Sequence, residues 1–385
     1  MKIWLFDMDG VLLIPRGYHD ALQETVRRIA HALGLPHVAL ATEDIAAFEA
    51  AGITSEWDSA AICAALLLNA RWRADPQAAW PPALEAPLPA VDVPPPDFQA
   101  FAAALAERTL RGDLPGRCAL AQLTATRRYP PEHRAALEAV LGRAREIEAS
   151  FTMQVFQELA LGSQAYRQVY GLQPRFEGHS YLQTRDRPVL EAAAHRDLLA
   201  WLQQDGHYAA VMTARPGRWP DGSGGSPEAE LGLAVTGLEA WPVVSWGSLE
   251  WLAARCGRDP QRLCKPAPVH ALAAMLCSLG APPAEALQQA AALALAGRCE
   301  PAWRRLDGSQ VTVFEDTTAG VLSLLAARDL LEAHGIRLDV QAVGIATVAA
   351  KQRALSGVGA AVFPLLPDAL KAVGVDFPSW PLTML

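Results

Sequence analysis

Short apolar runs that stop abruptly at polar residues recur along this chain. Ile3–Phe6 gives way to Asp7-Met8-Asp9-Gly10, and Tyr208–Met212 gives way to Thr213-Ala214-Arg215-Pro216. Val311–Phe314 gives way to Glu315-Asp316-Thr317-Thr318. Runs this short, closed by a turn signal, read as buried strands. Further strand candidates are Pro242–Trp246, Val340–Ala346 and Ala360–Phe363. Helical patterns lie between them, at Val189–Gln204, Ser248–Cys256, Val269–Leu276, Thr318–His334 and Val348–Leu355. Strands alternating with helices predict a parallel sheet covered on both faces.

From Pro15 to about Asp186 the strand signal disappears. Helices are expected at Asp20–Leu33, Thr42–Ala50, Asp58–Arg71, Phe98–Leu110, Pro131–Ala149 and Met153–Leu161. Asp20, Thr42, Asp58 and Asp97 read as their N-caps. The Pro-rich stretch Asp75–Pro96 must be a loop. The expected organisation is therefore an α/β, Rossmann-like doubly wound core formed by residues 1–14 and 187–385. A large, mostly helical domain at 15–186 would be inserted into it. The Gly-rich stretch 216–227 and the helical stretch 281–306 read as smaller insertions in the core.

In open parallel sheets the ligand sits beyond the carboxyl ends of the strands. The polar residues that close the apolar runs fall at that edge. Acids placed against an apolar strand are costly unless paired or holding a metal. Asp7-Met8-Asp9-Gly10-Val11-Leu12 resembles the nucleophile motif of the haloacid dehalogenase superfamily. Thr213 resembles the phosphate-binding Thr or Ser of that family's second motif, and Lys265-Pro266 resembles its third. Glu315-Asp316-Thr317-Thr318-Ala319-Gly320 resembles its fourth, an acidic pair followed by a helix start. All four occur in the family's order.

The resemblance implies a Rossmann-like core with a cap following the first motif, and Mg²⁺ as cofactor. It implies Asp7 as nucleophile and Asp9 as general acid and then base, its backbone carbonyl also on the metal. Thr213 and Lys265 would hold the phosphoryl group. Asp316 would be a metal ligand with Asp7, and Glu315 a further ligand or a second acid behind it. Arg215 is offered either as a substrate contact or as a structural residue of its loop. The family's dehalogenases lack an acid at the position of Asp9, since a halide needs no proton to leave. Phosphoryl transfer is therefore expected, with a phosphatase of the phosphoglycolate phosphatase-like branch as the leading reading. Tyr18-His19 and Phe314-Glu315-Asp316 are similar to segments of the family's sugar phosphomutases, which stay as an alternative. A protein that binds phosphorylated ligands without turnover is the second alternative. In the cap, Gly52–Asp58 is similar to a Gly-Phe-Asn-Asp-Asp-Trp segment of one phosphatase branch, from which Thr54 and Ser55 depart. This offers Glu56 and Trp57 as substrate contacts beside His19, against a plain helix start with Trp57 packed in the cap.

Composition adds limits. The 385 residues are 51% hydrophobic and carry a formal net charge of -8. An acidic chain does not favour a nucleic-acid partner. No apolar run has the length of a membrane span. The amino terminus, interrupted by Asp7 and Asp9, does not read as a signal peptide. The six cysteines show no paired or metal-binding spacing and read as reduced, mostly buried thiols, as expected in the cytoplasm. Cys264, beside Lys265, reads as packing. The expected ligand is a small phosphorylated metabolite. Its identity and the oligomeric state have no readable signal.

Overall fold

The computed structural model describes residues 1–375. The chain divides into two compact units, Met1–Pro15 with the chain from Asp186 on, and Arg16–Arg185. In chain order the strands among the described residues are β1 (Lys2–Phe6), β2 (Leu13–Ile14), β3 (Arg187–Pro188) and β4 (His207–Met212). They continue as β5 (Val243–Val244), β6 (Ser309–Glu315), β7 (Leu338–Ile345) and β8 (Ala361–Phe363).

The first unit is an α/β, Rossmann-like fold. Six of these strands form one sheet in the order β5-β4-β1-β6-β7-β8, with every neighbouring pair parallel. After β1 the core resumes at β4 on one side and later crosses to β6 on the other. The order therefore reverses at β1, which is where such sheets bind ligands. β2 and β3 form a separate antiparallel pair, with Leu13 opposite Pro188. Through this pair the chain leaves the core and comes back.

Both faces of the sheet are apolar because both are covered. Successive side chains of a strand point to opposite faces. Ile3 and Leu5 join a core with the helices Trp246–Cys256, Pro268–Ser278, Pro283–Ala296 and Thr318–Ala333. Trp4 and Phe6 join the other core, with the helices Ala192–Leu202, Glu228–Thr236 and Leu366–Ala372. Phe6 stacks on Phe314 with ring centroids 4.7 Å apart, and Trp4 meets Trp201 edge-on at 4.8 Å.

The second unit is helical. Helix Glu56–Arg71 is buried along most of its length, as its unbroken run of Ala, Ile, Cys and Leu requires. Trp72 stacks on His133 at 3.9 Å, and its indole N–H donates to the Ala78 carbonyl at 2.9 Å. Asp58 receives Arg145 at 2.6 Å.

Several local expectations need correction. Asp97 caps its helix, accepting from Ala100 N–H. Asp20 and Asp58 instead lie inside helices that begin earlier, at Arg16 and Glu56. Thr42 is the first residue of its helix, whose start is closed by Asp44 reaching back to Ala41 N–H at 2.8 Å. The helix expected to reach Ala149 stops at Gly142. The helices Pro115–Thr126 and Ser163–Tyr170 were not expected. Helix Pro283–Ala296, within the stretch that reads as an insertion in the core, packs into a sheet-face core. No helix among the described residues is long and apolar enough to cross a membrane.

Phe314 is fully buried between the two aromatic partners Phe6 and Trp4. Phe314→Ala should lower stability by about 3–5 kcal/mol. Urea unfolding should show a lower midpoint with an unchanged slope. A midpoint within error of the parent would contradict this packing.

Candidate active site

Register builds the site. Phe6 stands opposite Val211 on one side and Phe314 on the other. The next residue of each strand, Asp7, Met212 and Glu315, therefore emerges side by side at the carboxyl edge. Asp7 N–H still donates to the Phe314 carbonyl at 2.9 Å, which holds its backbone in line. Asp316 follows, and Asp7, Glu315 and Asp316 each offer a carboxylate oxygen within 4.8 Å of the others. Lys265 enters this acidic group. Its Nζ lies 2.8 Å from Asp7 Oδ1, 2.6 Å from Glu315 Oε1 and 3.4 Å from the Met212 carbonyl. The lysine side chain is 7% exposed, so solvent does little to screen these pairs.

Small residues make the space. A Cβ on Gly320 would lie 1.8 Å from Glu315 Oε1, so only glycine admits the glutamate there. Gly10 has φ +75, and a Cβ on it would lie 2.8 Å from Asp316 Oδ2. Thr317 Oγ1 donates to the other Glu315 oxygen at 3.1 Å. Lys351 sits 2.6 Å from Asp316 Oδ2 on the open side.

His270 secures the loop that carries Lys265. Burial pushes its imidazole down to about 3, so the ring is neutral. Its Nε2 lies 2.9 Å from the Val244 carbonyl, and Lys265 N–H approaches its Nδ1 at 3.3 Å. With the proton on Nε2, the ring donates to Val244 and accepts from Lys265. The sequence reading missed this residue. Its only signal was a histidine in the first turn of an apolar helix, shortly after the lysine. Cys264 is buried, with its thiol pushed up to about 11.

The electrostatics follow from this crowding. Burial, and then Glu315, hold the Asp7 carboxyl well above its ordinary range, with Lys265 pulling it back. Burial likewise raises Glu315 against the pull of Lys265. Burial alone would lower the Lys265 ammonium, but Asp7 and Glu315 outweigh it and hold it above its ordinary range. Three acids against buried Lys265 and exposed Lys351 still leave an excess of negative charge, all of it on oxygen. That donor set fits a hard divalent cation such as Mg²⁺.

Thr213 directly follows β4 and is buried, with its N–H on the Val244 carbonyl at 3.0 Å. Its hydroxyl oxygen accepts from Arg215 N–H at 3.1 Å, which leaves the hydroxyl proton for another acceptor. Asp9 is gripped by Arg215: Nε lies 3.0 Å from Oδ1 and 2.8 Å from Oδ2, and Nη2 lies 2.5 Å from Oδ1. The same Nη2 is 2.9 Å from Asp186 Oδ2. The Gly-rich stretch after Arg215 is tied down by Asp221, which accepts from Trp251 Nε1 at 2.6 Å and from Arg255 at 3.0 Å. His19, Glu56 and Trp57 belong to the helical unit. There His19 pairs with Glu49 at 3.2 Å, and Glu56 and Trp57 open the helix Glu56–Arg71, both half-buried.

The fold recurs in solved structures. An X-ray structure of a Northeast Structural Genomics Consortium target, ZR25, superposes with a TM-score of 0.64 at 17% identity. The match covers 97% of this chain and 98% of that one. This chain has that fold. Phosphatase Tt82 from Thermococcus thioreducens aligns with a TM-score of 0.42 at 14% identity, over 93% of this chain and 100% of that one. A hydrolase from Pseudomonas syringae aligns with a TM-score of 0.32 at 14% identity, over 97% and 98%. No known family profile and no curated protein matches the sequence.

The raised carboxyls have a consequence for stability. Folded Asp7 binds its proton above the ordinary value of 3.8, so the folded chain carries more protons than the unfolded chain as pH rises from there. Stability is then lost with rising pH across that window. In metal-free protein Asp7→Asn should flatten this loss, read by urea unfolding in a chelator at a series of pH values. Parallel curves for the parent and the variant would contradict the assignment.

Proposed function

We propose that this protein is a phosphatase of the haloacid dehalogenase superfamily, hydrolysing a small phosphate monoester through an aspartyl-phosphate on Asp7. The observation that carries this reading is the convergence on Lys265 of acids from adjacent strand ends, Asp7 and Glu315, with Asp316 beside them. An arrangement built only for stability would have no reason to crowd buried acids where ligands bind. The acids Asp7 and Asp316, with Glu315 behind them and the backbone carbonyl of Asp9, would hold Mg²⁺. When bound, the ion offsets the charge of the phosphoryl oxygens and of the nucleophile.

Within that frame each side chain has one task. A carboxylate oxygen of Asp7 attacks phosphorus, and the bond from phosphorus to the ester oxygen breaks. Asp9 gives its proton to the departing alcohol. Water then attacks the same phosphorus and loses a proton to Asp9. The bond from phosphorus to the Asp7 oxygen breaks, which frees inorganic phosphate and restores the carboxylate. Lys265 and the Thr213 hydroxyl hold phosphoryl oxygens as charge shifts between them. Proton transfer from a positioned group such as Asp9 is worth roughly 10²–10⁴-fold.

Phosphate release from p-nitrophenyl phosphate should require Mg²⁺, stop on chelation and return on adding the ion. Asp7→Asn should lower it by about 10³-fold or more in a folded protein. Flat traces with and without Mg²⁺ would favour a protein that binds phosphorylated ligands without turnover.

Metal dependence gives a separate prediction. Asp316→Ala should raise the Mg²⁺ concentration for half-maximal turnover by at least about tenfold. An unchanged requirement would remove Asp316 from the metal site.

A further inference from the structure

Asp9 follows β1, Arg215 follows β4, and Asp186 stands immediately before β3. Three separate segments thus meet through one guanidinium. The Arg215 side chain is 1% exposed and the Asp186 side chain fully buried, whereas that of Asp9 is 33% exposed. The buried end of this chain of contacts is therefore fixed, and the end that faces solvent is the proposed proton carrier. The backbone of Arg215 is pinned as well: its N–H donates to Thr213 Oγ1, and its carbonyl accepts from Trp246 N–H at 2.9 Å. Asp186 is held in turn by its place beside the antiparallel β2–β3 pair.

A carboxylate on a loop has two free torsions, and proton transfer requires it within hydrogen-bond reach of the reacting oxygen. A planar guanidinium engaging both oxygens removes that freedom, which a lysine at the same place cannot do. A buried guanidinium is itself fixed only if it has a second anchor, and Asp186 supplies it. We propose that Asp186 and Arg215 are positioning residues for Asp9: Asp186 fixes the guanidinium, and the guanidinium fixes the Asp9 carboxylate. Arg215 then acts through Asp9 and not on the substrate. The inference rests on the reading of Asp9 as the proton carrier of a phosphatase. It adds that this carrier is aligned from the point where the chain re-enters the core.

The test is a set of mutant cycles in the full-length protein with Mg²⁺. Arg215→Lys keeps the buried charge and loses the planar fork, and Asp186→Asn removes the anchor. Each is made alone and together with Asp9→Asn, with far-UV circular dichroism and thermal melting to establish folding. Alone, each should lower kcat on glycerol phosphate by about 10²-fold with little change in KM. Loss of the p-nitrophenolate burst should be smaller, because that leaving group departs without a proton. In the Asp9→Asn background neither should lower steady-state turnover of p-nitrophenyl phosphate any further. A raised KM with unchanged kcat would make Arg215 a substrate contact and overturn the proposal. Additive losses in the Asp9→Asn background would overturn it too, while leaving the phosphatase reading intact. If both variants lose cooperative melting, the pair serves folding and the proposal falls. If the parent protein turns over neither ester, the phosphatase reading fails, and the proposal with it.

Discussion

One buried ammonium organises the carboxyl edge of this sheet. Lys265 Nζ touches Asp7, Glu315 and the Met212 carbonyl, which end three adjacent parallel strands. Without it, two buried carboxylates would face one another with no charge between them, a costly arrangement in a medium that screens poorly. The surroundings of the lysine follow from this demand. Neutral His270 holds its loop against β5, Gly320 clears room for Glu315, and Thr317 takes the remaining oxygen. The apolar faces beneath, Ile3 with Leu5 and Trp4 with Phe6, keep the strands in the register that brings these groups level.

The lysine does not bring the acids to a relaxed state. Asp7 and Glu315 both stay above their ordinary range, because burial, with repulsion of Asp7 by Glu315 and of both by Asp316, exceeds what Lys265 offsets. Such residual tension is characteristic of sites that await a further positive charge or a reacting group. The rigid frame tolerates it. β1 is flanked on both sides by parallel neighbours, so the strand that carries Asp7 has no free edge along which to relax.

The acids were legible in the sequence because they interrupt apolar runs. Asp7 after Ile3–Phe6 and Glu315 after Val311–Phe314 stand out by contrast, and the parallel alternation then places them on one edge. Lys265 carried no such contrast and was found through its resemblance to a family motif. The Asp9–Arg215–Asp186 contacts were not legible as a group. Their members lie far apart along the chain, and only the sheet order and the β2–β3 crossover bring them together. β2 and β3 are too short to give a periodic signal. In the helical unit the errors were local. Asp20 and Asp58 looked like caps because acids favour helix starts, but they lie inside helices that start earlier. Asp58 meets Arg145, a partner that no local rule anticipates.

The central claim is that Asp7 is a nucleophile set in place by Lys265. The most direct test traps the covalent intermediate. Protein turning over p-nitrophenyl phosphate with Mg²⁺ is quenched in acid, reduced with borohydride and mapped by mass spectrometry. An acyl phosphate on Asp7 is reduced to homoserine, and the account predicts that product at position 7 alone. Homoserine at another aspartate, or release of phosphate with no reducible adduct at position 7, would contradict it.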